Sequence, residues 1–232
     1  MELFYQKEIE QGYLWLHEEE SRHAVKVLRH KSGDQIKLTN GQGSIYTASI
    51  TKANHSKCEF VITGKEVFNP AAYYIHIAIA PTKNTERMEW FIEKVTELGT
   101  QKITLLSTQH TEKRKFKTER LEKKAIAAMK QSGQYFLPEI QISTDFKKFI
   151  RESIAAEKFI AVVDHENPKH LLHTASKLKN YLVLIGPEGD FSTEELKLAL
   201  AAGFTKVSLG NTRLRTETAG IAACHILNLI NA

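Results

Sequence analysis

The chain has 232 residues, 42% of them hydrophobic, with 32 Lys and Arg against 27 Asp and Glu and a formal net charge of +5. That length and apolar content predict a real core in one large domain or two modest ones, and the mild basic excess permits a nucleic-acid partner without requiring one. Two distant cysteines, Cys58 and Cys224, with no CxxC argue against a disulfide framework or a zinc knuckle, and ten scattered histidines in no tight ligand pattern argue against a metal site. With no N-terminal h-region and no apolar run of about 18 residues, the expectation is a soluble cytoplasmic protein with no membrane partner.

Residues 1–70 read mostly as β. Glu18–His30 is the exception, a short helical stretch. On it Arg22, Lys26 and Arg29 stand at i, i+4 and i+7, one face of an α-helix, with His23 and His30 beside them. Such a stripe can track phosphates or simply be solvated surface. Ile36 and Leu38 alternate with polar residues and run into Asn40-Gly41, a strong hairpin signal. Ser44–Ile50 and Lys57–Thr63 continue the short strands, with a turn at Asn54-His55. Asn69-Pro70 breaks the pattern, which sets the domain boundary between 70 and 71.

From Tyr73 onward strands alternate with helices, the pattern of a mostly parallel sheet. Ile75–Ala80 is a near-continuous apolar run suited to a strand buried on both faces. Met88, Ile92, Val95 and Leu98 form a helical stripe that stops at Gly99. Next come a strand at Ile103–Ser107 and a helix at Thr118–Gln131, with Leu121, Ala125 and Ala128 on one side. Between them His110, Lys113, Arg114, Lys115 and Lys117 surround Phe116, a loop able to meet phosphates and stack a base. Phe159–Val163 reads as strand, Lys169–Leu178 as helix, Tyr181–Ile185 as strand and Thr193–Ala202 as helix ending at Gly203. Val207–Leu209 is the last strand and Thr218–Ile230 the last helix.

Two segments near the C-terminus are the most informative. One runs Ile185-Gly186-Pro187-Glu188-Gly189-Asp190-Phe191-Ser192-Thr193-Glu194-Glu195; the other runs Leu209-Gly210-Asn211-Thr212-Arg213-Leu214-Arg215-Thr216-Glu217-Thr218-Ala219-Gly220. Each leaves a strand and enters a helix, the place where an open α/β sheet binds its ligand. Glycines there let backbone approach a ligand, and Ser192 with Glu195 makes a capping-box pattern. By local physics alone each segment is also a well-made turn. No GxGxxG follows the first strand of this half, unlike an ordinary dinucleotide-binding domain.

The wording of the two segments, GPEGDFS and LRTETA, resembles the ribosomal RNA small-subunit methyltransferase E family of the SPOUT superfamily. Lys83, Arg87, Glu89, Trp90, Glu93–Gly99, Gln131 and Pro138 fit the same family upstream. His23, Val27-Leu28-Arg29, Gly33-Asp34 and Gly41-Gln42-Gly43 fit it in the N-terminal third, so the likeness spans nearly the whole chain in order. The resemblance implies an α/β fold: a SPOUT-type domain at 71–232 with a C-terminal trefoil knot, preceded at 1–70 by a small PUA-like β-barrel that contacts RNA. Nothing in periodicity predicts a knot. The implied activity is S-adenosyl-L-methionine-dependent methylation of a uridine N3 in 16S ribosomal RNA, naked or within the small subunit, by a homodimer without a metal. Another SPOUT RNA methyltransferase, acting on tRNA or on ribose 2′-O, and a non-catalytic assembly factor are the alternatives.

The resemblance also implies roles. Leu184, Ile185, Gly186, Pro187, Glu188, Gly189, Leu209, Gly210, Leu214, Thr216 and Ala219 would hold the cofactor, glycines for approach and leucines around the adenine. Arg215 would stabilise charge on the uracil as N3 loses its proton, Glu217 would orient Arg215 or take the proton, and Thr218 would hydrogen-bond cofactor or base. An ordinary Arg–Glu pair with a helix cap is the other reading of these three. Arg22, His23, Lys26, Arg29, Lys83, Arg87, Lys113, Arg114 and Lys115 would contact RNA. The family's usual Arg-Ile-Leu-Arg is here Thr212-Arg213-Leu214-Arg215, so only the second arginine carries over, and an arginine expected between Gln131 and Pro138 is absent.

Overall fold

The computed structural model describes residues 2–112, 118–163 and 169–232, and the chain divides into two compact units. The first takes in Met1–Pro70 together with Ile126–Leu137; the second comprises Ala71–Ala125 and Pro138–Ala232.

The first unit holds a four-stranded sheet in chain order: β1 (Leu3–Tyr5), β2 (Gln35–Thr39), β3 (Ser44–Lys52) and β4 (Glu59–Val67). β1 runs parallel to β2, and the other pairs are antiparallel. Alternation puts Phe4, Ile36, Leu38, Ala48, Ile50 and Phe60 into one apolar cluster with Leu16 and Cys58. The Asn40 side chain closes the predicted hairpin by accepting from the Gln42 N–H at 2.8 Å, and Gly43 takes φ +88° where a Cβ would strike the Phe136 ring at 2.5 Å.

One expectation fails here. α1 (Glu18–Arg22) is only five residues long, and the next turn, His23–Val27, widens so that the Leu28 N–H donates to the carbonyl of His23, five residues back. Arg29 then takes φ +61°. The 3.6-residue period on which a shared face for Arg22, Lys26 and Arg29 depends is therefore broken. Arg22 pairs with Glu18 at 2.9 Å and the His23 ring meets Glu2 at 2.6 Å.

The second unit is a six-stranded parallel sheet in the order β10-β8-β9-β5-β6-β7: β5 (Tyr74–Ile79), β6 (Lys102–Leu106), β7 (Glu139–Ser143), β8 (Glu157–Ala161), β9 (Asn180–Ile185) and β10 (Thr205–Val207). Its helices are α2 (Thr85–Glu97), α3 (Thr118–Ser132, whose second half is grouped with the first unit), α4 (Phe146–Glu152), α5 (Leu171–Thr174), α6 (Thr193–Ala201) and α7 (Thr216–Asn231). α2 starts where Asn84 accepts from the Glu86 N–H at 2.8 Å, buries Met88, Phe91, Ile92 and Val95, and stops at Gly99 with φ +77°.

β7 and α4 lie where the sequence reading assigned no element; β7 sits at the sheet edge with only partial burial, which weakens the apolar signal. The helix read at Lys169–Leu178 shrinks to Leu171–Thr174. His170 bridges to Ser208 before it, Ala175 is extended, and Leu178 takes φ +56°. The last strand is Thr205–Val207 rather than Val207–Leu209: Ser208 makes only an isolated bridge to His170, and its hydroxyl then bonds the turning backbone at Gly210. No helix among the described residues is long and apolar enough to cross a membrane.

Candidate cofactor cleft

The carboxyl ends of β8, β9 and β10 open into a cleft of about 660 Å³. Its wall runs through Ala161–Val163, Ile185–Glu188 with Asp190, and Ser208–Thr216, and ends at Ala219 on α7. The cleft thus takes backbone from three strand-to-helix connections, at the edge where a parallel sheet holds ligands.

The β9–α6 loop is braced before any ligand arrives. The Asp190 N–H donates to the Pro187 carbonyl at 2.9 Å, and Asp190, at φ +61°, accepts from the Phe191 N–H through its own carboxylate at 2.7 Å. A Cβ on Gly186 would stand 3.1 Å from the Phe191 ring, so the loop's tightness depends on that glycine. Ser192 and Glu195 form the predicted capping box. Buried Glu195 also accepts from the Gln109 N–H at 2.8 Å, and His110 Nδ1 donates to the Asp190 carbonyl at 2.9 Å. His110, read with the basic loop cluster, is therefore a brace for the β9–α6 loop. Lys113, Arg114, Lys115, Phe116 and Lys117 lie outside the described residues.

In the β10–α7 loop, the Gly210 N–H donates to Ser208 Oγ at 3.1 Å and the Ser208 hydroxyl donates to the Gly210 carbonyl at 2.9 Å. Gly210 takes φ +145°, and a Cβ there would meet nothing within 4 Å. The Thr216 hydroxyl donates to the Gly186 carbonyl at 3.0 Å, tying the two loops together, and Arg213 reaches the Glu188 carbonyl at 3.4 Å. Arg215 caps α7 in an extended conformation and is exposed on the cleft wall. Its guanidinium makes no hydrogen bond or ion pair with a described residue.

Of the residues read as cofactor-binding, Ile185, Gly186, Pro187, Glu188, Leu209, Gly210, Leu214, Thr216 and Ala219 line the cleft. Leu184 and Gly189 do not. Leu184 packs in the sheet's apolar cluster, because alternate residues of a strand face opposite ways, and Gly189 lies against His110. Thr218 and Glu217 are also off the wall. Glu217 does not orient Arg215: it is buried, and its Oε1 stands 3.7 Å from Arg87 Nε on α2 while its Oε2 has no hydrogen-bond partner. Arg215 precedes the helix in extended backbone, and within α7 Glu217 points about 100° away from Thr216, which faces the cleft. Arg87, read as an RNA contact, is that partner; Lys83 stays exposed near Glu112 at 3.4 Å.

Ala161 at the end of β8, Val162 and Val163 beyond it, and Arg213 also line the cleft, with no local sequence signal to mark them as part of it. The strand signal at Phe159–Val163 was present, but strand order, which brings β8 beside β9, is not written in local periodicity. Among the described residues no three His, Cys, Asp or Glu side chains cluster as metal ligands.

This architecture has close relatives. The family model described as an RNA methyltransferase domain matches residues 69–228, and one described as an RNA methyltransferase PUA domain matches residues 16–63. A crystal structure of a probable rRNA-methyltransferase from Porphyromonas gingivalis is 41% identical, covers 100% of this chain and 98% of its own, and superposes with a TM-score of 0.93. The ribosomal RNA small subunit methyltransferase E from Neisseria gonorrhoeae, solved bound to S-adenosyl methionine, is 25% identical over 100% of this chain and 98% of its own, with a TM-score of 0.86. The protein of that name from Aquifex aeolicus is 29% identical over 98% of this chain and 99% of its own length. Fold and matched domain together define the class, an RNA methyltransferase with a PUA domain. The chain belongs to the ribosomal RNA small subunit methyltransferase E family.

Proposed function

We propose that this protein methylates N3 of a uridine in 16S ribosomal RNA, with S-adenosylmethionine held in the cleft between the GPEG and LRTETA loops. The single observation that carries the reading is that cleft. Its apolar walls, buried Ile185 with half-buried Leu209, Leu214 and Ala219, suit a planar adenine, and the glycines Gly186 and Gly210 let the loops lie close to the rest of the molecule. The open space above Gly210 fits a ligand lying against the loop. When bound, the cofactor supplies a methyl group on a sulfonium that a nucleophile displaces directly.

The chain's own residues then have two tasks. The loops orient substrate and cofactor and exclude water. Arg215, exposed and without a partner among the described residues, donates to the uracil oxygens and stabilises the charge that spreads onto them as N3 gives up its proton. Buried Glu217 acts at one remove, holding Arg87 and the first turn of α7. The N-terminal PUA-like domain with Arg22, His23, Lys26 and Arg29, and the cations Lys83, Lys113, Arg114 and Lys115, contribute RNA affinity by phosphate contact.

The proposal includes a homodimer, a trefoil knot and action in the cytoplasm. Exposed Trp90 on α2 and Leu229 on α7, helices packed on each other, support a partner surface. The knot is inferred from the family likeness. The experiment is calorimetry with S-adenosylmethionine followed by methylation of small-subunit RNA: one site per chain and methyl transfer support the reading, and absence of both overturns it.

A further inference from the structure

A strand buried in a parallel sheet is ordinarily apolar on both faces. The face of this sheet that meets α4 departs from that rule. His76 on β5, Thr104 on β6 and Gln141 on β7 form one chain of hydrogen bonds, His76 Nε2 to Thr104 Oγ1 at 2.7 Å and Gln141 Nε2 to the same oxygen at 2.8 Å. Beside them opens a second cleft of about 690 Å³, as large as the first and sharing no residue with it. It takes Asn180–Leu182 from the start of β9, whereas the cofactor cleft takes Ile185 from its end. Phe149 of α4 lies edge-on to the His76 ring at 5.9 Å, and exposed Tyr74 lines the same cleft.

The direction of the relay can invert. If the Thr104 hydroxyl donates to His76 Nε2, Gln141 donates its NH₂ to Thr104; His76 then offers Nδ1–H and Gln141 offers its carbonyl. If His76 Nε2–H donates instead, the hydroxyl donates to a turned Gln141 amide; His76 Nδ1 then accepts and the NH₂ donates. Either way the two free ends present one donor and one acceptor, and neither end has a partner among the described residues. Burial keeps the ring uncharged, so the pair is built for a neutral ligand with a donor and an acceptor side by side. Outside, α4 carries exposed Lys148 and Arg151, which form no ion pair with a described residue.

We propose that this cleft holds a second, unmethylated base of the RNA substrate, its edge on the His76–Gln141 pair and its ring against Phe149 or Tyr74. Unpaired RNA bases are recognised by edge hydrogen bonds and aromatic stacking, and Lys148, which lines the cleft between the carboxylates Asp145 and Glu152, is the cation that a phosphate of such a strand would meet. Because the relay inverts, the pair accepts either order of donor and acceptor, so it positions a base without selecting which one. The inference rests on the RNA methyltransferase reading above.

The test uses the full chain saturated with S-adenosylhomocysteine and a single-stranded oligoribonucleotide carrying 4-thiouridine, irradiated, digested and mapped by mass spectrometry. Adducts on the peptides containing Tyr74 or Phe149 are expected, with yield lowered about tenfold in Gln141→Leu and in Thr104→Val, each of which breaks the relay and removes a paired polar group. S-adenosylhomocysteine affinity should be unchanged in both variants, and melting curves check that they fold; the wild-type adduct map decides if they do not. RNA that binds without adducts here, and is methylated once S-adenosylmethionine replaces S-adenosylhomocysteine, overturns this inference alone. RNA that does not bind at all overturns it together with the proposed function.

Discussion

Gly220, one turn into α7, sets how closely that helix lies on α2, and replacing it with alanine perturbs both stability and the cleft. A Cβ at this position would stand 2.5 Å from Phe91 Cε2 and 3.1 Å from Ile79 Cδ1, and the Phe91 ring is fully buried with nowhere to turn. Overpacking of this kind costs about 1–3 kcal/mol, and a contact this short belongs at the upper end. Alanine's better helix propensity returns about 1 kcal/mol, leaving a net loss of about 2 kcal/mol. For a chain of this size that lowers Tm by about 4–8 °C. Thermal and urea denaturation measure it. Because Arg215, Thr216 and Ala219 ride on the same turn, S-adenosylmethionine should also bind more weakly to the variant. Phe91→Leu should relieve the clash, so the double variant should cost less than the two single changes added together by about 1 kcal/mol or more. A Gly220→Ala protein as stable as wild type would refute the close-packing argument and leave helix propensity as the larger effect.

Gly210→Glu should abolish S-adenosylmethionine binding in calorimetry, since it fills open space at a φ of +145° that glycine alone adopts readily; normal binding would put the cofactor elsewhere. Arg215→Ala should slow single-turnover methylation about a hundredfold with little change in cofactor affinity. Higher pH should restore part of the rate, and Arg215→Lys should recover only part for want of a bidentate fork. A wild-type rate in Arg215→Ala would make that residue structural. Stability should fall in acid through His76, whose pKa is pushed from its usual 6.5 down to about 3, first by burial and then by Lys102. The unfolded chain takes up a proton below pH 6.5 that the folded chain refuses, so stability is fullest above 6.5 and declines as pH falls toward 3. By pH 4.5 the loss is about 3 kcal/mol, and His76→Gln should flatten that part of the profile in urea titrations. A variant with the same acid sensitivity as wild type would assign it to other groups.

What was legible in the sequence was local. The apolar run through Ile75–Ala80, the stripe ending at Gly99, the capping box at Ser192 and Glu195 and the hairpin at Asn40 each record a short-range physical requirement, and each is where it was read. The two cleft loops were legible for the same reason, since a turn leaving a strand and entering a helix needs glycine and a cap. What was not legible depended on partners distant in the chain. Glu217 reads as a neighbour of Arg215, yet helix geometry turns it to Arg87, 130 residues earlier. β8 joins the cleft only because β9 pairs on its flank. The widened turn at His23–Val27 misled in the opposite direction, since Arg22, Lys26 and Arg29 fit a regular helix that the chain does not form.

Methylation at uridine N3 in 16S ribosomal RNA is read out by nucleoside mass spectrometry. Small-subunit RNA lacking the modification is incubated with this protein and methyl-labelled S-adenosylmethionine, digested to nucleosides and analysed. Label is expected in 3-methyluridine, absent with Gly210→Glu and strongly reduced with Arg215→Ala. Label on a ribose 2′-oxygen, on another base or on transfer RNA alone would contradict it.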